Sequence, residues 1–328
     1  MLMADARDAN NFNLIRLLLA VLVVFSHSHS HIGHAEPVTW GITFGYFAVQ
    51  SFFCISGYLI AQSFLRARSV LEFAFHRALR IVPALLPLAA FMAASWYVLR
   101  YDLLLQNPPL WTLNWEAACY ALAALAGLCG LLGKRTIWLL AIAVCIAYLT
   151  YVDHTSYVFR YIVCLFILFL AGAVIAVHED RISFRFAGPI ALGIVAFVLL
   201  PYSRETMIAT AELWMTPASA YAVANLPYMA ALPVAWVYLA KHTPVLVDLK
   251  ADLSYGVYIY GWPVQIIVAV VAYWYVEPIT NVLVHFILSM SLLIPIAYLS
   301  WTLVEKPALS AKKFFRGRHG GLAEPALV

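Results

Sequence analysis

An apolar run of about 20 residues has one stable home, a helix across a bilayer, because backbone N–H and C=O groups must pair internally where no water reaches. The sequence offers ten such runs, at 14–33, 43–65, 79–99, 110–132, 136–153, 158–177, 187–202, 214–240, 254–276 and 281–304. The seventh is short. The eighth contains Pro217, Pro227 and Pro233, which predict a kink or a break. The expected fold is an all-α, polytopic transmembrane helix bundle of about ten spans. Composition agrees: 64% of residues are hydrophobic and 11% charged, against about 25% charged in a soluble domain. The first run is read as a retained span and not a secretory leader, since Asp5 and Asp8 precede it and Glu36-Pro37 follow it. Cys54, Cys119, Cys129, Cys145 and Cys164 are scattered through apolar runs and read as small packing residues.

Basic residues orient the array. With a cytoplasmic N-terminus and ten spans, 17 of the 20 Lys and Arg fall on inner segments, as the positive-inside rule requires. Only Arg100, Arg160 and Arg204 fall outside. Both termini are then cytoplasmic. Residues 1–310 form one transmembrane domain, and residues 311–328 form a short basic tail, disordered or lying on the inner leaflet. No internal repeat of a transporter kind is present.

Ionisable residues inside spans are costly and mark function by default. Arg16 and His27 share the first run, eleven residues apart. At 100° per residue that is three turns and about 20°, so both side chains lie on nearly one face, about 16 Å apart. Glu116 lies six residues into the fourth run, about 9 Å deep, matching His27 in depth from the outer side. A carboxylate beside an imidazole orients the ring for general-base work; the alternative is a structural helix–helix hydrogen bond. Arg77 and Arg80, spaced i, i+3, project together from the inner side. Paired guanidiniums suit a phosphate-rich ligand, or form an inner-surface charge cluster. His27, His29 and His31 invite a metal reading, but His29 points about 200° from His27 and no Cys or Asp is near. No metal is expected.

These residues carry a resemblance. The sequence resembles the integral-membrane acyltransferase-3 family in four ordered blocks: Asn11–Ala20 leading to His27; Val49-Gln50-Ser51-Phe52-Phe53-Cys54-Ile55-Ser56-Gly57-Tyr58-Leu59-Ile60; Arg77-Ala78-Leu79-Arg80-Ile81-Val82-Pro83; and Leu110-Trp111-Thr112-Leu113-Asn114-Trp115-Glu116 with Tyr120. A weaker match covers Leu253–Pro263 and Val304-Glu305-Lys306-Pro307. The family often has Asp where this chain has Gln50 and His where it has Gly261, so neither position takes a proton-transfer role.

The resemblance implies a membrane O-acyltransferase. Acyl-CoA, acetyl-CoA first among candidates, would be the donor substrate. The acceptor would be a hydroxyl of a bacterial surface glycan or lipid-linked oligosaccharide. It implies catalytic roles for His27 and Glu116 with Arg16 supporting, and donor binding by Arg77 and Arg80. The expected location is the bacterial inner membrane, in a form without the extracytoplasmic hydrolase-like domain that some family members carry. Lipid and glycan are the expected partners, and nucleic acid is not. The alternative from another class is a secondary transporter using His27 and Glu116 for proton or metal coupling. Ser56 reads as a relay or, preferably, a helix-packing serine.

Overall fold

The computed structural model describes residues 10–39, 42–131, 134–151, 157–200, 203–214, 217–247, 249 and 251–311. Among the described residues, each apolar run contains a helix. The helices are α1 (Phe12–His31), α2 (Phe44–Arg66), α3 (Val70–Leu99), α4 (Trp111–Leu128), α5 (Arg135–Tyr151), α6 (Tyr157–Val177), α7 (Phe184–Val198), α8 (Ser203–Glu212), α9 (Pro217–Lys241), α10 (Ser254–Tyr275), α11 (Val282–Ser300) and α12 (Lys306–Ser310). A two-residue β-hairpin pairs Val38–Thr39 with Ile42–Thr43. Among the described residues, seven helices are long and apolar enough to cross a membrane, and Leu139–Leu149 and Phe184–Val198 are shorter apolar helices. The protein is an all-α polytopic bundle. The expected tail lies, from residue 312 on, outside the described residues.

The eighth run becomes one helix, α9, which starts at Pro217 and continues unbroken through Pro227 and Pro233, and α8 is a separate short helix that precedes the run. Helix α3 starts nine residues earlier than its apolar run. Ser69 caps it by accepting from the Glu72 amide at 3.1 Å, while the Glu72 carboxylate accepts from the Arg68 amide at 2.9 Å. This capping arrangement stabilises a polar first turn. Arg77 and Arg80 therefore sit two to three turns inside a 30-residue helix, not at its entry.

Helices α1, α2 and α10 form the centre, with α6 against α2, α11 against α10, and α9 touching α2 and α6. Two glycines set the α2–α6 contact. A methyl group on Gly57 would lie 2.0 Å from the Phe169 carbonyl oxygen, and one on Gly172 would lie 2.2 Å from that of Cys54. The helices can approach this closely only because each presents a hydrogen where the other presents backbone. Gly57 stands in the second sequence block beside Ser56.

The link from α3 to α4 departs from a simple outer loop. Tyr101 packs edge-on to Trp274, Leu104 is buried against Val270 and Ile266, the Asn107 amide donates to the Ile259 carbonyl at 2.9 Å, and the Pro109 carbonyl accepts from the Tyr258 hydroxyl at 2.9 Å. The chain thus descends along α10 from residue 274 to residue 258, about 24 Å of helix. Irregular backbone at this depth is tolerated because it is buried in protein and its polar groups find partners. Helix α4 consequently starts inside the bundle.

Candidate active site

The descent decides where Glu116 goes. Depth counted from an outer loop brings Glu116 level with His27, and the structure corrects this. One helical turn into the lowered α4, Glu116 accepts through Oε1 from the Ser56 hydroxyl at 3.2 Å and from the Tyr120 hydroxyl. It lines a small cavity with Ser56, Thr112, Tyr255, Tyr258 and Arg16. Glu116 therefore belongs with Arg16 and is not the partner of His27. The Ser56 hydroxyl thereby ties α2 to α4, as a helix-packing serine does.

His27 has a different carboxylate. Its Nδ1 lies 2.8 Å from Oε1 of Glu36. The turn after α1 makes this contact. The Gly33 amide donates to the Ser30 carbonyl and the His34 amide to the His29 carbonyl, at 3.2 and 2.9 Å. Gly33 adopts a left-handed φ of 80°. This glycine-terminated cap reverses the chain and brings Glu36 back over the helix end. There Ser26 donates to Glu36 Oε2 at 2.6 Å and is itself fixed by the Gly45 amide at 2.9 Å. Burial would raise the Glu36 carboxyl, but bonds from His27 and Ser26 more than offset it and hold it at about 2. An ionised Glu36 accepts the Nδ1 proton, which leaves the Nε2 lone pair of His27 available. Trp262 packs edge-on to His27 at a ring separation of 5.3 Å.

Arg16 does not reach His27. Its Nη1 is 2.8 Å from Oδ2 of Asp252, and Arg80 binds the same oxygen. Ser254 donates to Asp252 Oδ1 at 2.6 Å. Asp252 is buried, which by itself would raise its carboxyl; the two guanidiniums reverse this and hold it well below the usual carboxylate range. Arg77 is engaged differently. Its Nη2 donates to Ser63 at 3.0 Å, and its buried Nε has no protein partner. Arg16, Arg66, His76, Arg77 and Arg80 line one opening of about 430 Å³ together with Glu72 and Asp252. Arg16 borders both this opening and the small Glu116 cavity; His27 borders neither.

The structure thus joins Arg16, Arg77 and Arg80 at one end of the bundle, with Glu116 just above them. It sets His27 near the other end on the same helix as Arg16. Asp252 and Glu36 were missed in the sequence: one sits a single residue before the Leu253–Pro263 block, the other in a polar linker, and neither lies in an apolar run. Gln50, where an Asp is often found, accepts from the Tyr228 hydroxyl at 2.8 Å and ties α2 to α9. At Gly261 a methyl group would meet Val24 at 3.1 Å, so this position packs against α1. Among the described residues no group of three or more His, Cys, Asp or Glu is placed to hold a metal.

A family model described as an acyltransferase domain matches residues 10–302. An O-acetyl transferase of Shigella phage Sf6 is 27% identical, covering 92% of this chain and 96% of that protein. Nodulation protein 10 of Rhizobium leguminosarum bv. viciae is 26% identical, covering 92% and 94%. No solved structure matches. With the family model covering nearly the whole chain, the transporter alternative gives way: the chain belongs to the integral-membrane acyltransferase-3 family and is a multi-pass membrane O-acyltransferase.

Proposed function

We propose that this enzyme moves an acetyl group from cytoplasmic acetyl-CoA to a hydroxyl of a surface glycan or lipid-linked sugar, in the bacterial inner membrane. The observation that carries the reading is the division of labour along α1. Arg16 stands in an opening lined by four arginines, and His27, held by Glu36, stands eleven residues further along the same helix.

The opening suits the phosphates of the donor. Arg77 has spare donors, while Arg16 and Arg80 are held in place by Asp252. Guanidiniums present planar forks that match phosphate oxygens. The acyl-bearing arm then runs past Arg16 and Glu116, along α1, toward His27. At His27 the acceptor hydroxyl oxygen attacks the thioester carbonyl while its proton passes to Nε2. The tetrahedral intermediate collapses, the C–S bond breaks, and the thiolate takes a proton to leave as free CoA. The sugar keeps the acetyl group as an ester. Glu36 orients the imidazole and stabilises its protonated form, in the manner of a carboxylate behind a catalytic histidine. The donor name rests on the similar phage protein, called an O-acetyl transferase, and the glycan acceptor on the family resemblance.

The test is mass analysis of surface glycans from cells with and without the gene, and with His27→Ala at matched protein level. The expected result is a gain of one acetyl mass per modified sugar with the native enzyme and none with the variant. Acetylation that persists with His27→Ala rules the mechanism out.

A further inference from the structure

Gln265, on α10, is fully buried and turns its amide nitrogen onto α1. Its Nε2 donates to the Val24 carbonyl and to the Ser28 hydroxyl, both at 2.8 Å. Ser28 donates its own proton to the same Val24 carbonyl at 2.9 Å. His27 sits inside the turn that this ring of bonds encloses. We infer that Gln265 is a positioning residue: it fixes the rotation of α1 about its axis and so keeps the His27 imidazole aligned with Glu36 for proton transfer. The inference rests on the acyl-transfer reading above.

The two bonds define an angle as well as a distance. At 100° per residue, Val24 and Ser28 lie about 40° apart around α1 and about one turn apart along it. A single bond to one carbonyl would let the helix turn, and two acceptors on successive turns do not. His27 then points about 80° to one side of the line toward Gln265. Trp262, three residues earlier on α10, packs against that imidazole with a ring separation of 5.3 Å. The clamp is braced from a third helix: the fully buried His285 on α11 donates through Nε2 to the Gln265 backbone carbonyl at 3.1 Å.

Rotation matters because the two halves of the His27–Glu36 pair are anchored differently. The imidazole turns with α1. Glu36 precedes Pro37, whose carbonyl accepts from the Phe44 amide at the start of α2 at 3.1 Å. At a helix radius of about 5–6 Å, a rotation of about 20° moves a side-chain tip about 2 Å. A misplacement of about 1 Å can cost about 100-fold in rate. Adhesion between helices does not by itself account for a glutamine here. The Gln265 Oε1 is buried with no partner among the described residues, and an apolar side chain of similar volume would join α1 to α10 without burying that oxygen.

The test follows radiolabelled acetyl from acetyl-CoA to the endogenous glycan in membranes that hold the full-length enzyme. Gln265→Met keeps the volume and removes both donors. Its maximal rate is expected to fall about tenfold or more, as lost alignment predicts, with the KM for acetyl-CoA within about twofold of native. A cycle with Glu36→Gln adds a readout that a merely structural role does not move. If Gln265 acts through the His27–Glu36 contact, the double variant loses little more than Glu36→Gln alone. Losses that multiply overturn the role. A native maximal rate in Gln265→Met, with His27→Ala inactive, overturns the positioning role alone. Should Gln265→Met fail to accumulate, Ser28→Ala decides: a maximal rate about threefold lower or more at native KM supports the role, and an unchanged rate overturns it. No acetyl transfer by the native enzyme, or full transfer by His27→Ala, overturns the acyl-transfer reading and the positioning role with it.

Discussion

The imidazole of His27 and the carboxylate of Glu36 meet at 2.8 Å across a helix end and a chain reversal. The pair is held from the other side by Ser26, so Glu36 is fixed whether or not substrate is present. Glu36→Gln keeps the shape and removes the charge. It is expected to lower kcat about 100-fold, within the usual range for general-base chemistry, with the KM for donor unchanged. The sign of the pH effect also follows. A carboxyl whose value falls from 4.5 to about 2 on folding stabilises the fold fully above 4.5, and that contribution disappears as pH falls toward about 2. The Tm gap between native enzyme and Glu36→Gln should therefore narrow between pH 5 and 2.5. A gap that stays constant over that window contradicts an ionised Glu36.

Gly57 and Gly172 leave no room for a side chain. A Cβ at either would overlap the backbone of the facing helix, which cannot move like a side chain. Gly57→Ala should force α2 and α6 apart at a cost of about 1–3 kcal/mol or more, and displace Ser56 from Glu116. Thermal unfolding followed by fluorescence-detected size exclusion should show a lower Tm. Gly193, with nothing near its added methyl group, serves as control: Gly193→Ala should leave the Tm within a degree or two.

The helices and the residues on them were legible because apolar length and the 3.6-residue period are local properties. Arg16 and His27 share α1, and Arg77 and Arg80 share a cavity, as spacing on a single helix foretells. What spacing cannot supply is depth measured from a loop whose path is unknown. The fourth run reads as starting at the outer side at residue 110, yet Leu104 and Asn107 have partners on α10, and the descent lowers Glu116 from the level of His27 to that of Ser56. Nor does an apolar pattern flag the carboxylates that matter most. Glu36 and Asp252 lie just outside helices, where charge is ordinary, and only the fold turns them inward.

Asp252 is a test of that last point. Its Oδ2 binds both Arg16 and Arg80. Asp252→Ala leaves two guanidiniums close together without the carboxylate that both of them bind. Removing one partner of a buried ion pair costs about 3–5 kcal/mol, so the variant should unfold at a clearly lower temperature. Adding acetyl-CoA, or CoA itself, should recover part of the loss if its phosphates replace the missing carboxylate. A Tm rise with CoA that is larger in Asp252→Ala than in the native enzyme is the expected outcome. An equal rise in both argues that the phosphates bind elsewhere.

Arg77 gives the sharper donor test because, among the described residues, no carboxylate forms an ion pair with it. Its one side-chain hydrogen bond goes to the Ser63 hydroxyl, and its Nε remains free. It also lies over the Phe73 ring, 5.8 Å from the centroid, so its position is fixed before any ligand arrives. Arg77→Ala removes donors without stranding a buried carboxylate, and stability should change little. The KM for acetyl-CoA should rise about tenfold, equivalent to about 1.4 kcal/mol of binding, with kcat within twofold and the acceptor KM unchanged. Arg77→Lys keeps the charge but loses the planar fork, and should fall between native and Ala. Steady-state kinetics in nanodiscs, varying donor and acceptor separately, measures all three. An effect confined to the acceptor KM would move the donor away from this opening and reverse the assignment of its two ends.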